Sequence, residues 1–221
     1  MKHKIWINHL MGAIFAFVLS VSAVGNLVTG YDLKVKSLFL LFLFCAACSF
    51  LSALLFRFKH GGELLLFMTA LRSWKIVKEG ILWDQAQSLA HMISTHYHAV
   101  YDWPVIGQPL SETVELPLMA LALWASFGVS WTVCRHEHIV FLMPPVILPL
   151  LICLVTTDRV PDPVFLYLLI LGLALLLITD WTRRNHPGQG IRLTLRFAIP
   201  IAAALALLFA ANPRDEYVNN V

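Results

Sequence analysis

The chain predicts an all-α fold, a polytopic integral membrane helical bundle of six transmembrane helices plus one amphipathic or polar helix of open placement. Three observations carry this. Hydrophobic residues make up 59% of the 221 residues and charged residues 13%, whereas a soluble domain is roughly 25% charged. Six runs carry no charged side chain: Leu10–Tyr31, Ser37–Phe56, Leu116–Cys134, Ile139–Thr157, Pro163–Thr179 and Phe197–Pro213. Each run has the right length, since a hydrocarbon core of about 30 Å takes about 20 helical residues, with a range of about 17 to 25. Inside lipid, backbone N–H and C=O groups must pair within the protein. That leaves helices and closed barrels, and continuous apolar runs lack the alternation of barrel strands.

In chain order, Met1-Lys2-His3-Lys4 precedes an apolar stretch that resembles a secretory signal. Its apolar part exceeds the 7 to 15 residues of a signal core and leads almost directly into another span, so it reads as a retained first helix. Residues 1–60 form a transmembrane hairpin, turned at Asp32–Lys36. Residues 61–112 are an amphipathic helical segment. In it Leu82, Ala86, Leu89, Ile93, Tyr97 and Val100 recur at three- and four-residue steps, with Asp84, Gln87, His91, Ser94, His98 and Asp102 on the other side. This helix should end before Trp103-Pro104, because a residue preceding proline is pushed out of the α region. Residues 113–213 form a four-helix transmembrane segment, and 214–221 an exposed tail. Pro144, Pro145, Pro149 and Pro200 fall inside spans and read as packing kinks.

Crossing parity stays open, as six or seven. With six crossings, the 16 Lys and Arg residues divide nine to seven between the two faces, which orients nothing under the positive-inside rule. If the stretch from about Gly80 to Tyr101 also crosses, the division becomes twelve to four, and the N-terminus is cytoplasmic. A crossing there puts Asp84, His91, His96 and His98 at membrane depth, where they need a protein or water-lined environment. An interfacial helix avoids that cost.

The motifs carrying chemistry are few. Cys45-Ala46-Ala47-Cys48 has redox or zinc spacing, but it sits in an unbroken Leu and Phe run without a second ligand pair and reads as helix packing. In Arg135-His136-Glu137-His138 the two imidazoles diverge by about 200° on a helix, so this reads as a solvated loop. The Asp84, His91, His98 and Asp102 stripe places histidine and carboxylate at seven-residue steps. That arrangement suits proton transfer or metal binding, although any amphipathic helix needs a polar face. No P-loop, dinucleotide turn, zinc-protease helix or nucleophile elbow is present. No catalytic, cofactor-binding or metal residue is assigned. The basic residues sit in short loops beside spans, as topology determinants rather than a nucleic-acid footprint. The lipid bilayer is the expected partner.

A resemblance goes further. Ile5-Trp6-Ile7-Asn8-His9-Leu10, Leu82-Trp83-Asp84-Gln85 leading into Tyr101-Asp102-Trp103, Trp131-Thr132-Val133-Cys134-Arg135, Val155-Thr156-Thr157-Asp158 with Val160-Pro161-Asp162, and Pro213-Arg214-Asp215-Glu216-Tyr217 together resemble the N-terminal membrane region of bacterial membrane-anchored transglutaminase-like proteins. In that family an extracytoplasmic papain-like domain with a Cys, His, Asp triad follows the membrane region. The resemblance implies a plasma-membrane anchor that carries or positions such a domain, with the tail after Pro213 facing outward. This chain departs from the pattern: it holds no soluble stretch of that size, and its four cysteines lie in or at the end of apolar runs. It then reads as the anchor without the catalyst, an isolated portion or a truncated product, and no catalytic residue carries over. The competing expectation is a subunit of a small-molecule transporter or channel, working with other membrane subunits.

Overall fold

The computed structural model describes residues 2–58, 60–64, 79–102, 104–135, 146–149, 151, 162–185 and 190–211. Their long elements are the helices α1 (Lys2–Gly30), α2 (Leu38–Leu55), α3 (Ile81–Tyr101), α4 (Glu115–Arg135), α5 (Pro163–Asn185) and α6 (Gly190–Ala211), and no strand occurs among the described residues. Five contain stretches long and apolar enough to cross a membrane: His9–Gly30, Leu38–Leu55, Glu115–Cys134, Pro163–Thr182 and Leu193–Ala211. They coincide with five of the six predicted runs. The remaining run, Ile139–Thr157, lies largely outside the described residues, although Val146 within it is buried in a core cluster that also holds Leu169 and Leu176 of α5. The chain is a helical membrane bundle.

Hydrogen bonds distinguish the two ends of the bundle. At one end the Lys36 amide donates to Glu115 Oε1 at 2.6 Å, and the Asp162 amide donates to Thr29 Oγ1 at 3.1 Å. This loop face therefore gathers the C-terminus of α1 with the N-termini of α2, α4 and α5. At the opposite, N-terminal face, Gly12 of α1 approaches Cys134 of α4, and Phe56 beyond α2 stacks edge-on against Trp131. There Thr179 and Thr194 join α5 to α6 through their hydroxyls at 3.0 Å. It follows that α2 and α4 run parallel and α1 runs against both.

Small residues hold these three helices together. Ala16 and Ser20 on α1, Cys45 and Ser49 on α2, and Ala122, Ser126 and Ser130 on α4 are fully buried at four-residue steps. Without a hydrophobic driving force between helices in lipid, such residues let backbones approach and let hydroxyls bond across the contact. Ser49 and Ser126 do so at 3.1 Å. The approach of α5 follows the same rule, since a Cβ on Gly25 would stand 2.5 Å from the Phe165 ring. The predicted packing role of Cys45-Ala46-Ala47-Cys48 agrees with this arrangement, in which both thiols are buried and Cys45 lies against Ser20.

Charge is unevenly shared between the ends. Among described residues, Lys2, Lys4, Arg57, Arg135, Arg183, Arg184, Arg192 and Arg196 fall at or near the N-terminal face, and Lys34 and Lys36 at the loop face.

Candidate functional site

Helix α3 begins after Gly80, whose φ of 75° favours glycine. It ends as predicted just before Trp103, with Asp102 closing it in the left-handed conformation and its amide donating to the His98 carbonyl. Both halves of α3 touch the loop face. Gln85 Oε1 accepts from the Leu116 amide at 2.8 Å, at the first turn of α4. Eleven residues on, the His96 ring meets Tyr31 edge-on with centroids 5.4 Å apart, at the end of α1. Leu89, Met92 and Ile93 pack onto the core beneath, which contains Tyr31, Leu33, Val114 and Leu118. The helix thus lies over one end of the bundle. Gly62, against Phe56 and Trp131, stands at the other end.

The polar side of α3 has a structural occupation. The segment after α3 returns along it without regular secondary structure, and α3 side chains take up the returning backbone. Ser94 Oγ accepts from the Ile106 amide at 3.0 Å, and Ser88 Oγ accepts from both Leu110 and Ser111 at 3.0 and 2.8 Å. His91 Nδ1 lies 3.2 and 3.1 Å from the carbonyl oxygens of Ile106 and Gly107. Carbonyls only accept, so in these contacts the His91 Nδ1–H is the donor. Pro104 and Pro109 have no amide to satisfy, and Gly107, at φ 65°, lies against the Gln87 side chain. A segment lacking partners from a sheet or helix must find them elsewhere, and here one helix face supplies them.

The predicted stripe is therefore divided. His91 is tied to the returning segment, whereas Asp84, His98 and Asp102 are exposed, with His98 Nδ1 and Asp102 Oδ1 3.9 Å apart. Among the described residues no three His, Cys, Asp or Glu side chains converge as a metal site would require. His136, Glu137 and His138 lie outside the described residues. Sequence reasoning missed Gln85 and Ser88. Their signal was present as Gln85, Ser88, His91 and Ser94, hydrogen-bonding residues at three-residue steps, followed by a proline-punctuated segment without periodicity of its own.

Beside this layer lies a cleft of about 820 Å³. Tyr31, Met92 and His96 form its apolar and aromatic wall, and Asp32, Lys36 and Glu112 bring charge of both signs to it. A space of that size is within the range of small-molecule sites, about 300 to 1,000 Å³. No family model, no curated protein and no solved structure matches this chain.

Proposed function

We propose that this chain is a non-catalytic membrane domain of a bacterial plasma membrane that anchors and positions an extracytoplasmic domain of transglutaminase-like or peptidase-like type. The observation that carries the proposal is the eight-to-two distribution of described cations. Under the positive-inside rule it makes the N-terminal face cytoplasmic and the loop face external. Helix α6 runs toward that external face, since Tyr167 near the start of α5 stacks on Phe209 near the end of α6. Cargo joined beyond α6 would then stand outside, on the same face as the α3 layer. In that layer Gln85, Ser88, His91 and Ser94 are engaged in holding neighbouring backbone, as a platform requires. The resemblance in the tryptophan-bearing segments supports the nature of the cargo.

The test is cysteine labelling at Asn219→Cys in a background whose four native cysteines are replaced. A membrane-impermeant maleimide added to intact cells labels this position if the proposal holds. Labelling from the cytoplasmic side alone excludes outward-facing cargo.

A second reading, a transporter or channel subunit, draws support from the cleft at Tyr31, Asp32 and His96. Its test is flux in reconstituted vesicles carrying Asp84→Ala, His91→Ala or His96→Ala. Flux unchanged in all three removes both stripe and cleft from any pathway.

A further inference from the structure

At the N-terminal face a groove of about 370 Å³ opens on the outside of the bundle, between the first turns of the α1 span and the last turns of α2. Its floor is Ala13 and Ala53, both almost fully buried, and the small volume of these two residues leaves the trough. Its walls are Leu10, Phe50, Leu51 and Leu54, each about half exposed on the surface that faces lipid. Polar groups enter at one end only, where His9 and Arg57 close the groove.

The depth of these residues matters. The α1 span starts at His9 and the α2 span stops at Leu55, so the rim lies where hydrocarbon gives way to headgroups and the trough runs inward from there. Arg57 is exposed at that boundary. Its guanidinium presents a planar fork of donors suited to bidentate phosphate binding. The same face holds the cationic surplus of the bundle, which raises the local concentration of acidic headgroups. An apolar slot at acyl depth with an exposed cation at phosphate depth matches an amphiphile of one chemistry.

We propose that this groove binds one acyl chain of an acidic phospholipid, with the lipid phosphate held at Arg57. The site is independent of the anchoring role and of the orientation given above, since it needs only the groove and its cationic end.

Native mass spectrometry of the whole chain, released from micelles containing equimolar dioleoyl phosphatidylglycerol and dioleoyl phosphatidylcholine, tests this. The unaltered protein retains the acidic lipid about tenfold over the zwitterionic one, the scale of one charge-assisted contact. Arg57→Gln abolishes that preference and Arg57→Lys keeps part of it. Leu54→Trp, which fills the groove from an exposed position, lowers retention of both lipids. Equal retention of the two lipids by the unaltered protein overturns the proposal. So does a preference that survives Arg57→Gln, lipid retention that Leu54→Trp leaves untouched, or a lipid-free dimer that Leu54→Trp disrupts. Thermal midpoints of the variants, expected within about 2 °C of the parent for exposed substitutions, show that each variant is folded.

Discussion

Helices α1 and α6 are both apolar enough to span a membrane, yet 78% of the α1 span is buried inside the bundle and 6% of the α6 span. Hydrophobicity does not distinguish them, because in lipid the exposed face of α6 costs nothing that the buried face of α1 saves. The difference lies in what each helix offers a neighbour. Helix α1 presents Gly12, Ala16, Ser20, Gly25 and Thr29 to α2, α4 and α5, whereas α6 turns Leu195, Phe197, Ile199, Leu207 and Leu208 outward. It rests on α5 through Thr194, through Ala202, whose carbonyl accepts from the Tyr167 hydroxyl at 3.0 Å, and through Phe209. Close approach and hydroxyl pairing make a hub, and bulky apolar side chains make a lipid-facing periphery.

Substitutions can widen or close this contrast. The largest effect is expected at Gly25→Leu, where new atoms meet the Phe165 ring and force α5 away from α1. Overpacking of this kind costs about 3 kcal/mol, measured as a loss of stability in detergent-denaturant titrations. A side-chain truncation on α6, at Ile199→Ala, is expected to stay within about 0.5 kcal/mol, because Ile199 is 78% exposed. Comparable losses at the two sites would show that α6 is buried against something in the membrane.

Next in size is Ser88→Ala. It removes the acceptor shared by the Leu110 and Ser111 amides and is expected to cost about 2 kcal/mol. Hydrogen exchange at those two amides should quicken while the amides of α4 stay protected. Asp84→Ala, by contrast, should leave that exchange unchanged, since the Asp84 side chain is exposed. Acceleration by Asp84→Ala would mean that the returning segment depends on the charged edge of α3 and not on its serines.

Smaller than the Ser88 effect is the coupling between Ser49 and Ser126. A double-mutant cycle with alanine at both positions should give about 0.6 kcal/mol, the usual size for hydroxyl pairs between membrane helices. A value near zero would leave the α2–α4 contact to van der Waals packing alone.

Much of this arrangement is legible in the residues. Runs without charge mark five described spans to within a few residues, and the pre-proline rule places the end of α3 correctly. The reading of α3 as simply two-sided was too coarse. Ser94, assigned to a polar face, is buried under Ile106, and Ser88, assigned to neither face, holds two amides. Periodicity reports which side chains avoid water. It does not distinguish a hydroxyl facing solvent from one facing a backbone amide, because both satisfy the same group. The cleft beside Tyr31 and the groove over Ala13 had no signature either, since each is assembled from segments distant along the chain.

The sequence alone determined that the chain is helical and membrane-embedded, because dehydrated peptide groups must pair within a continuous apolar run. Only the tertiary structure decided which helix ends share a face. That fact sorts the described cations eight to two and sets α3 over one end of the bundle. The physical reason is that the lipid imposes length and polarity on each helix separately. Neighbours and direction are chosen by short-range contacts among small residues and hydroxyls, which leave almost no trace in hydropathy.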